Sequence, residues 1–226
     1  IAFDNFEMLI ENLDNANNIE NLKLWEPLIS VLKSDEEELR AFALSVIGTA
    51  VQNNTKSQEN FLKYEDGLPG VIEIAGNTKE VPAVRTKAFY ALSNLIRHNS
   101  DVYEKFVSLG GLEIISPVLG DETSNDKLKM RVLALLAAVL TAVEFNASFV
   151  EVLRKDDIIE STLDFLVPDG GLYVIDRVLN FLSQLISFGF KFNEQEMSKL
   201  RQGYENIENL KDRLNEDDYQ TVRQVL

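Results

Sequence analysis

The chain is 226 residues long and 45% apolar, enough to bury a sizeable core as one long domain or two short ones. A formal net charge of −15 argues against a nucleic-acid binder, which would carry a basic stripe, and against an anionic membrane surface. Without cysteine there is neither a disulfide nor a thiolate metal site, and the composition suits a reducing compartment.

The sequence opens at Ile1 without a methionine, as expected of a fragment or a processed form, and shows no charged-then-apolar leader. Ile1–Leu13 reads as the tail of an earlier repeat. In it Ala2, Phe3, Phe6, Leu9 and Ile10 take the places that Ala88, Phe89, Leu92, Leu95 and Ile96 take later. Next comes "DNAN" at Asp14–Asn17, read as a loop between two helices, with a small residue, Ala16, between two asparagines. "SDEEEL" at Ser34–Leu39 and "NEDDY" at Asn215–Tyr219 place carboxylates ahead of helices, where they favour the positive end of the dipole, so they are not metal clusters.

Long helical stripes then recur, each opened by an arginine: "LRAFALSVIGTAV" at Arg40, "VRTKAFYALSNLI" at Arg85, "MRVLALLAAVLTAV" at Arg131 and "DRVLNFLSQLIS" at Arg177. The spacings are 45, 46 and 46 residues. An arginine at a helix start opposes the dipole, so Arg40, Arg85 and Arg177 are each expected to pair with a carboxylate of a neighbouring repeat. The intervening stretches "SQENFLKYEDGLPGVIEIA", "SDVYEKFVSLGGLEIISPVLG" and "NASFVEVLRKDDIIESTLDFL" each read as a short helix, a turn and a second apolar helix. Ser57, Ser100 and Asn146 are the expected N-caps, and Gly67 and Gly110-Gly111 the expected left-handed ends.

Two features depart from this plain repeat. "DKLKMR" places Lys127, Lys129 and Arg131 together as a basic island in an acidic chain, either a solvated loop or a docking site for an acidic partner. Val132–Leu140 is apolar for nine positions, far short of the roughly 20 residues that span a bilayer. It reads as a helix buried on every side, with Leu136 and Leu140 as the alternative floor of an apolar groove. His98, the only histidine, ends a helix. No nucleophile pair, metal-ligand spacing or phosphate loop is present, so neither catalysis nor a metal or cofactor is expected.

About three helices every 40–47 residues is the length of an armadillo or HEAT unit, which covers its apolar faces only by stacking on its neighbours. The expectation is an all-α, right-handed superhelical armadillo solenoid in a single domain, 1–226. Residues 1–33 form an N-terminal partial repeat, 34–66, 67–110, 111–156 and 157–203 the repeats, and 204–226 a C-terminal cap. "KAFYALSNL" resembles the third helix of an armadillo repeat, with Tyr90 and Asn94 at the two groove-lining positions. The corresponding places after the other arginines hold Ser45 and Thr49, Leu136 and Leu140, and Leu182 and Ile186. The tryptophan–asparagine ladder of a peptide-transport receptor is therefore missing.

"FDNFEMLIENLDNANNIENLKLW" at Phe3–Trp25, with "LWEPLISVL", "TAVQNN", "VRTKAFYALSNLIR", "LKMR" and "LKDRLNEDDY", resembles the armadillo domain of the Fes-type, or heat-shock-protein-binding-protein, family of chaperone exchange factors. The match runs along essentially the whole chain and points to a fungal cytosolic member. The resemblance implies binding to the nucleotide-binding domain of the seventy-kilodalton heat-shock chaperone, distortion of its nucleotide cleft and release of ADP. The exchange factor itself binds no nucleotide and works as a monomer. By resemblance the contacts are Asn15, Ala16, Asn17 and Arg131, with Lys127 and Lys129 beside them; Tyr90 and Asn94 join them from repeat geometry alone. A client-mimicking N-terminal segment of the family is not in this sequence, and its activity is expected to be absent. The alternative is an armadillo scaffold that holds an extended peptide in its groove.

Overall fold

The computed structural model describes residues 2–226; Ile1 lies outside the described residues. Among the described residues all regular structure is helical, and no helix is long and apolar enough to cross a membrane. The chain divides into two compact units, one up to Ile114 and one from Ile115 to Leu226.

The first unit holds α1 (Ala2–Ile10), α2 (Leu13–Asn21), α3 (Trp25–Ser30), α4 (Glu37–Val51), α5 (Thr55–Leu62), α6 (Gly67–Gly76), α7 (Pro82–Ile96) and α8 (Ser100–Ser108). A short 3-10 turn, Gly111–Ile114, ends it. The long helix α4 packs between α1 and α7, while α2, α5 and α8 form a second row. Trp25, Leu44, Phe61, Phe89 and Leu92 are fully buried there, and the Trp25 and Phe61 rings meet edge to face at 5.3 Å. Leu9, expected to be buried like Leu95, is exposed on α1 together with Met8.

The second unit holds α9 (Ile115–Gly120), α10 (Asp126–Leu140), α11 (Ala147–Lys155), α12 (Ile158–Leu163), α13 (Leu172–Ser187), α14 (Glu194–Asn206) and α15 (Glu216–Arg223). Here α10 packs on α13, and α13 on α15. Val132, Leu136, Val178, Leu182 and Phe181 carry this core.

Asparagine is the recurrent cap of these helices. Asn54, Asn99, Asn125, Asn146, Asn193 and Asn215 each accept a backbone N–H from the first turn, the capping bond that relieves an orphan donor. The expected cap at Asn146 stands. Ser57 and Ser100 are corrected: Ser57 lies inside α5 and its N–H is the one that Asn54 accepts, and Ser100 is the first helical residue after the cap Asn99. Before the caps Asn54 and Asn99 the turn is left-handed, at Asn53 (φ 50°) and His98 (φ 56°), 45 residues apart. Of the expected glycines only Gly110 is left-handed (φ 74°). Gly67 begins α6, and Gly111 is needed for space, since a Cβ there would sit 2.3 Å from the Phe106 ring.

The arginine register needs a second correction. The four long helices begin 45, 44 and 46 residues apart, not at the arginine spacing. Val84, Ala88, Leu92 and Leu95 of α7 correspond in burial to Leu128, Val132, Leu136 and Val139 of α10, and to Val174, Val178, Leu182 and Leu185 of α13. In this register Arg131 and Arg177 match Lys87, two residues past Arg85. The groove positions of Tyr90 and Asn94 fall on Ala134 and Ala138, then on Asn180 and Gln184. Leu136 and Leu140 are 1% and 3% exposed, part of the core and not a groove floor.

Candidate functional site

The N-terminal candidates lie on a helix. Residues 15–17 belong to α2, which Asn12 caps by accepting the N–H groups of Asp14 and Asn15. The loop expected at "DNAN" is therefore corrected. Ala16 is 3% exposed, so a larger side chain there would have to displace its neighbours. Asn15 is exposed and its Nδ2 donates to the Leu9 carbonyl at 2.8 Å, while the Asn17 Oδ1 accepts from Ser57 Oγ at 3.4 Å.

A polar strip crosses α1, α4 and α7 in the same unit. Glu7 Oε1 accepts from Ser45 Oγ (2.7 Å) and Thr49 Oγ1 (2.8 Å). The Thr49 and Tyr90 hydroxyls lie 3.3 Å apart, and Lys87 Nζ donates to Ser45 Oγ at 2.9 Å. Tyr90 reaches this strip because α4 has a glycine beneath it; a Cβ on Gly48 would lie 2.5 Å from the tyrosine ring. Asn94 is engaged internally: its Nδ2 donates to the Gly48 carbonyl at 3.1 Å and it is 8% exposed. Its amide thus ties α7 to α4.

In the same unit, the expected arginine pairing holds for Arg40. Its Nε and Nη2 donate to Glu80 Oε2 and Oε1 at 2.7 and 2.9 Å, the bidentate geometry of a strong charged pair. Burial alone would push the Glu80 carboxyl up, but Arg40 and the Val81 N–H outweigh it and hold it below its ordinary value. Arg85 is buried and donates from Nε to the Ala75 carbonyl at 3.1 Å. Arg177 does not follow the expectation: it is exposed, without an ion pair among the described residues.

The basic residues of the second unit sit in the first two turns of α10, not in a loop. Lys127 is exposed, Arg131 is half-buried, and Lys129 Nζ lies 5.2 Å from the centre of the Phe165 ring, a cation–π distance. Arg154, at the end of α11, makes a bidentate ion pair to Glu196 at 2.7 and 2.9 Å that sequence reading had passed over. Among the described residues no cluster of histidine and carboxylate side chains is arranged to hold a metal ion. Burial pushes the Tyr103 hydroxyl up to about 12, so it stays protonated at neutral pH.

Solved structures share the architecture. A designed armadillo repeat protein in complex with a (KR)4 peptide superposes with a TM-score of 0.77 at 15% identity, covering 99% of this chain and 90% of that one. A second designed armadillo repeat protein gives 0.77 at 16% identity, with coverage of 100% and 90%. The fold is thus the armadillo-repeat solenoid.

Within that class the sequence is more specific. Residues 15–157 match the SIL1/FES1/HPBP1 C-terminal domain, and residues 1–19 match the family described as nucleotide exchange factor Fes1. The chain belongs to the SIL1/FES1/HPBP1 family. It is 63% identical to the Hsp70 nucleotide exchange factor FES1 of Saccharomyces cerevisiae and 61% identical to that of Kluyveromyces lactis. Each alignment covers 100% of this chain and 78% of the relative.

Proposed function

We propose that this protein is a nucleotide exchange factor of the seventy-kilodalton heat-shock chaperone, Hsp70, binding its nucleotide-binding domain and promoting ADP release. The carrying observation is 63% identity, over all of this chain and 78% of the relative, to a protein that bears this name. The physical requirement is differential affinity. A partner that holds the open nucleotide cleft more tightly than the closed one lowers nucleotide affinity by the same factor. No reactive group of the exchange factor takes part, so the protein is read as a non-enzyme that needs no metal or cofactor. The reading extends to a single armadillo domain acting as a cytosolic monomer.

For contacts we propose Asn15 and Asn17, with Ala16 as the small buried residue between them, and Lys127, Lys129 and Arg131. Tyr90 remains a surface candidate, while Asn94 supports it from beneath through Gly48. The incomplete tryptophan–asparagine ladder, with Asn94 itself bonded to the Gly48 carbonyl, is the reason the peptide-groove alternative is set aside. The test is release of a fluorescent ADP analogue from purified Hsp70, followed by stopped flow. The wild-type protein accelerates release, and Arg131→Ala weakens the effect by more than about 1 kcal/mol if its charge meets a desolvated carboxylate. The melting temperature of the variant is measured beside it, because Arg131 is half-buried. A wild-type protein that leaves the release rate unchanged refutes the proposal.

A further inference from the structure

The corrected register places a second pair of residues where the first contact pair stands. Lys127 and Arg131 lie one helical turn apart on α10, and their counterparts on α13 are Tyr173 and Arg177. The two helices pack together, and their first turns are side by side: a Cβ on Gly171, just before α13, would lie 2.4 Å from Asp126 Oδ2, at the start of α10. The match is therefore spatial as well as numerical.

Tyr173 is 73% exposed, the largest exposure of any large apolar or aromatic side chain described, and Arg177 is exposed beside it at i+4. The carboxylates nearby are engaged elsewhere. Asp176 Oδ1 accepts the Asn215 N–H at 2.7 Å, and Asp218 Oδ2 accepts from Asn180 Nδ2 at 3.0 Å. An exposed tyrosine next to an arginine without an ion pair is the composition of an interface hot spot, ring for contact area and guanidinium for a carboxylate. On a chain of charge −15 an acidic partner is repelled at long range, so a local cation weighs heavily in where it docks.

We propose that Tyr173 and Arg177 form a second contact for the same partner, with Arg177 taking a surface carboxylate of the Hsp70 nucleotide-binding domain and Tyr173 packing beside it. This rests on the exchange-factor reading. The contact continues the Lys127–Arg131 pair from α10 onto α13, so that the second unit offers cationic groups from two adjacent helices. Both side chains are exposed, so their substitution is expected to leave the fold intact.

The experiment measures affinity for purified Hsp70 nucleotide-binding domain by calorimetry at low and at raised salt. Arg177→Glu is expected to weaken binding about tenfold or more and to flatten the salt dependence, and Tyr173→Ala to weaken it severalfold. Arg213→Glu makes the same charge change at an exposed site elsewhere in this unit and is expected to alter affinity by less than about twofold. All variants are checked for wild-type melting, with Arg177→Gln replacing Arg177→Glu if the latter melts lower. Unchanged affinity on substitution of Arg177, or an equal loss from Arg213→Glu, overturns the inference. If the wild-type protein does not bind at all, the exchange-factor reading itself has failed.

Discussion

Glu196→Gln is the most informative single change, because one carboxylate holds α14 against α11 and also caps its own helix. The side chain is 2% exposed and accepts three donors: Arg154 Nε at 2.7 Å, Arg154 Nη2 at 2.9 Å and the Asn193 N–H at 2.8 Å. Glutamine keeps the shape but leaves one acceptor oxygen for three donors and removes the charge. Losing a charge-assisted hydrogen bond costs about 1.5–3 kcal/mol. The cost stays below the 3–5 kcal/mol of a wholly buried pair. Arg154 is 36% exposed, and it keeps both the Lys191 carbonyl at 2.8 Å and the face of Phe190. About 2 kcal/mol is expected at neutral pH.

Urea unfolding followed by far-ultraviolet circular dichroism measures this loss. Fluorescence is the wrong probe, since the only tryptophan, Trp25, belongs to the other unit. A double-mutant cycle with Arg154→Ala isolates a coupling of about 1–3 kcal/mol. The pH arm has a definite sign. Burial pushes the Glu196 carboxyl up, but Arg154 and the Asn193 N–H outweigh it, leaving the folded value below the ordinary 4.5. In mild acid the unfolded chain therefore binds the extra proton. The stabilisation is fully present above 4.5 and is lost as pH falls through the folded value. The gap between wild type and variant should close over that range. A loss under about 0.5 kcal/mol at neutral pH, or a gap that persists in acid, would refute the assignment.

Leu92→Ala, at a site with 0% exposure in α7, is expected to cost about 2–5 kcal/mol in thermal unfolding; an unchanged midpoint would place that residue outside the core. Gly48→Ala should destabilise by about 1–3 kcal/mol despite alanine's better helix propensity. The added methyl meets the Tyr90 ring at 2.5 Å and the Ala91 backbone at 3.3 Å, so the ring must swing away or α4 and α7 must shift. A stabilised Gly48→Ala variant would show that this contact is loose. Titration of the isolated protein with ADP or ATP is expected to give no heat of binding, and micromolar affinity would contradict the non-enzymatic reading.

The helical class, the repeat and its length were open to inspection in the sequence, because apolar spacing is a local property that each helix carries alone. Asn146 was legible as a cap for the same reason, its partner lying three residues away. The equivalence of the arginines was not. Their even spacing counts residues, whereas repeats align by which side chains are buried, and one shortened interval before α10 shifts the register by two positions. "DNAN" looked like a loop from its polarity. Yet Asn12 caps the helix, and Ala16 and Ile19 on one face are buried, so packing overrides composition.

The strip around Glu7 joins residues 38 and 42 positions apart, and Glu196 meets Arg154 across 42. No local pattern announces such pairs, because each partner alone looks like an ordinary surface residue. The exposure of Tyr173 and Arg177 was hidden in the same way. Composition and periodicity determine that helices form and stack, but only the stacked backbone decides which polar groups face one another and which are left to face a partner.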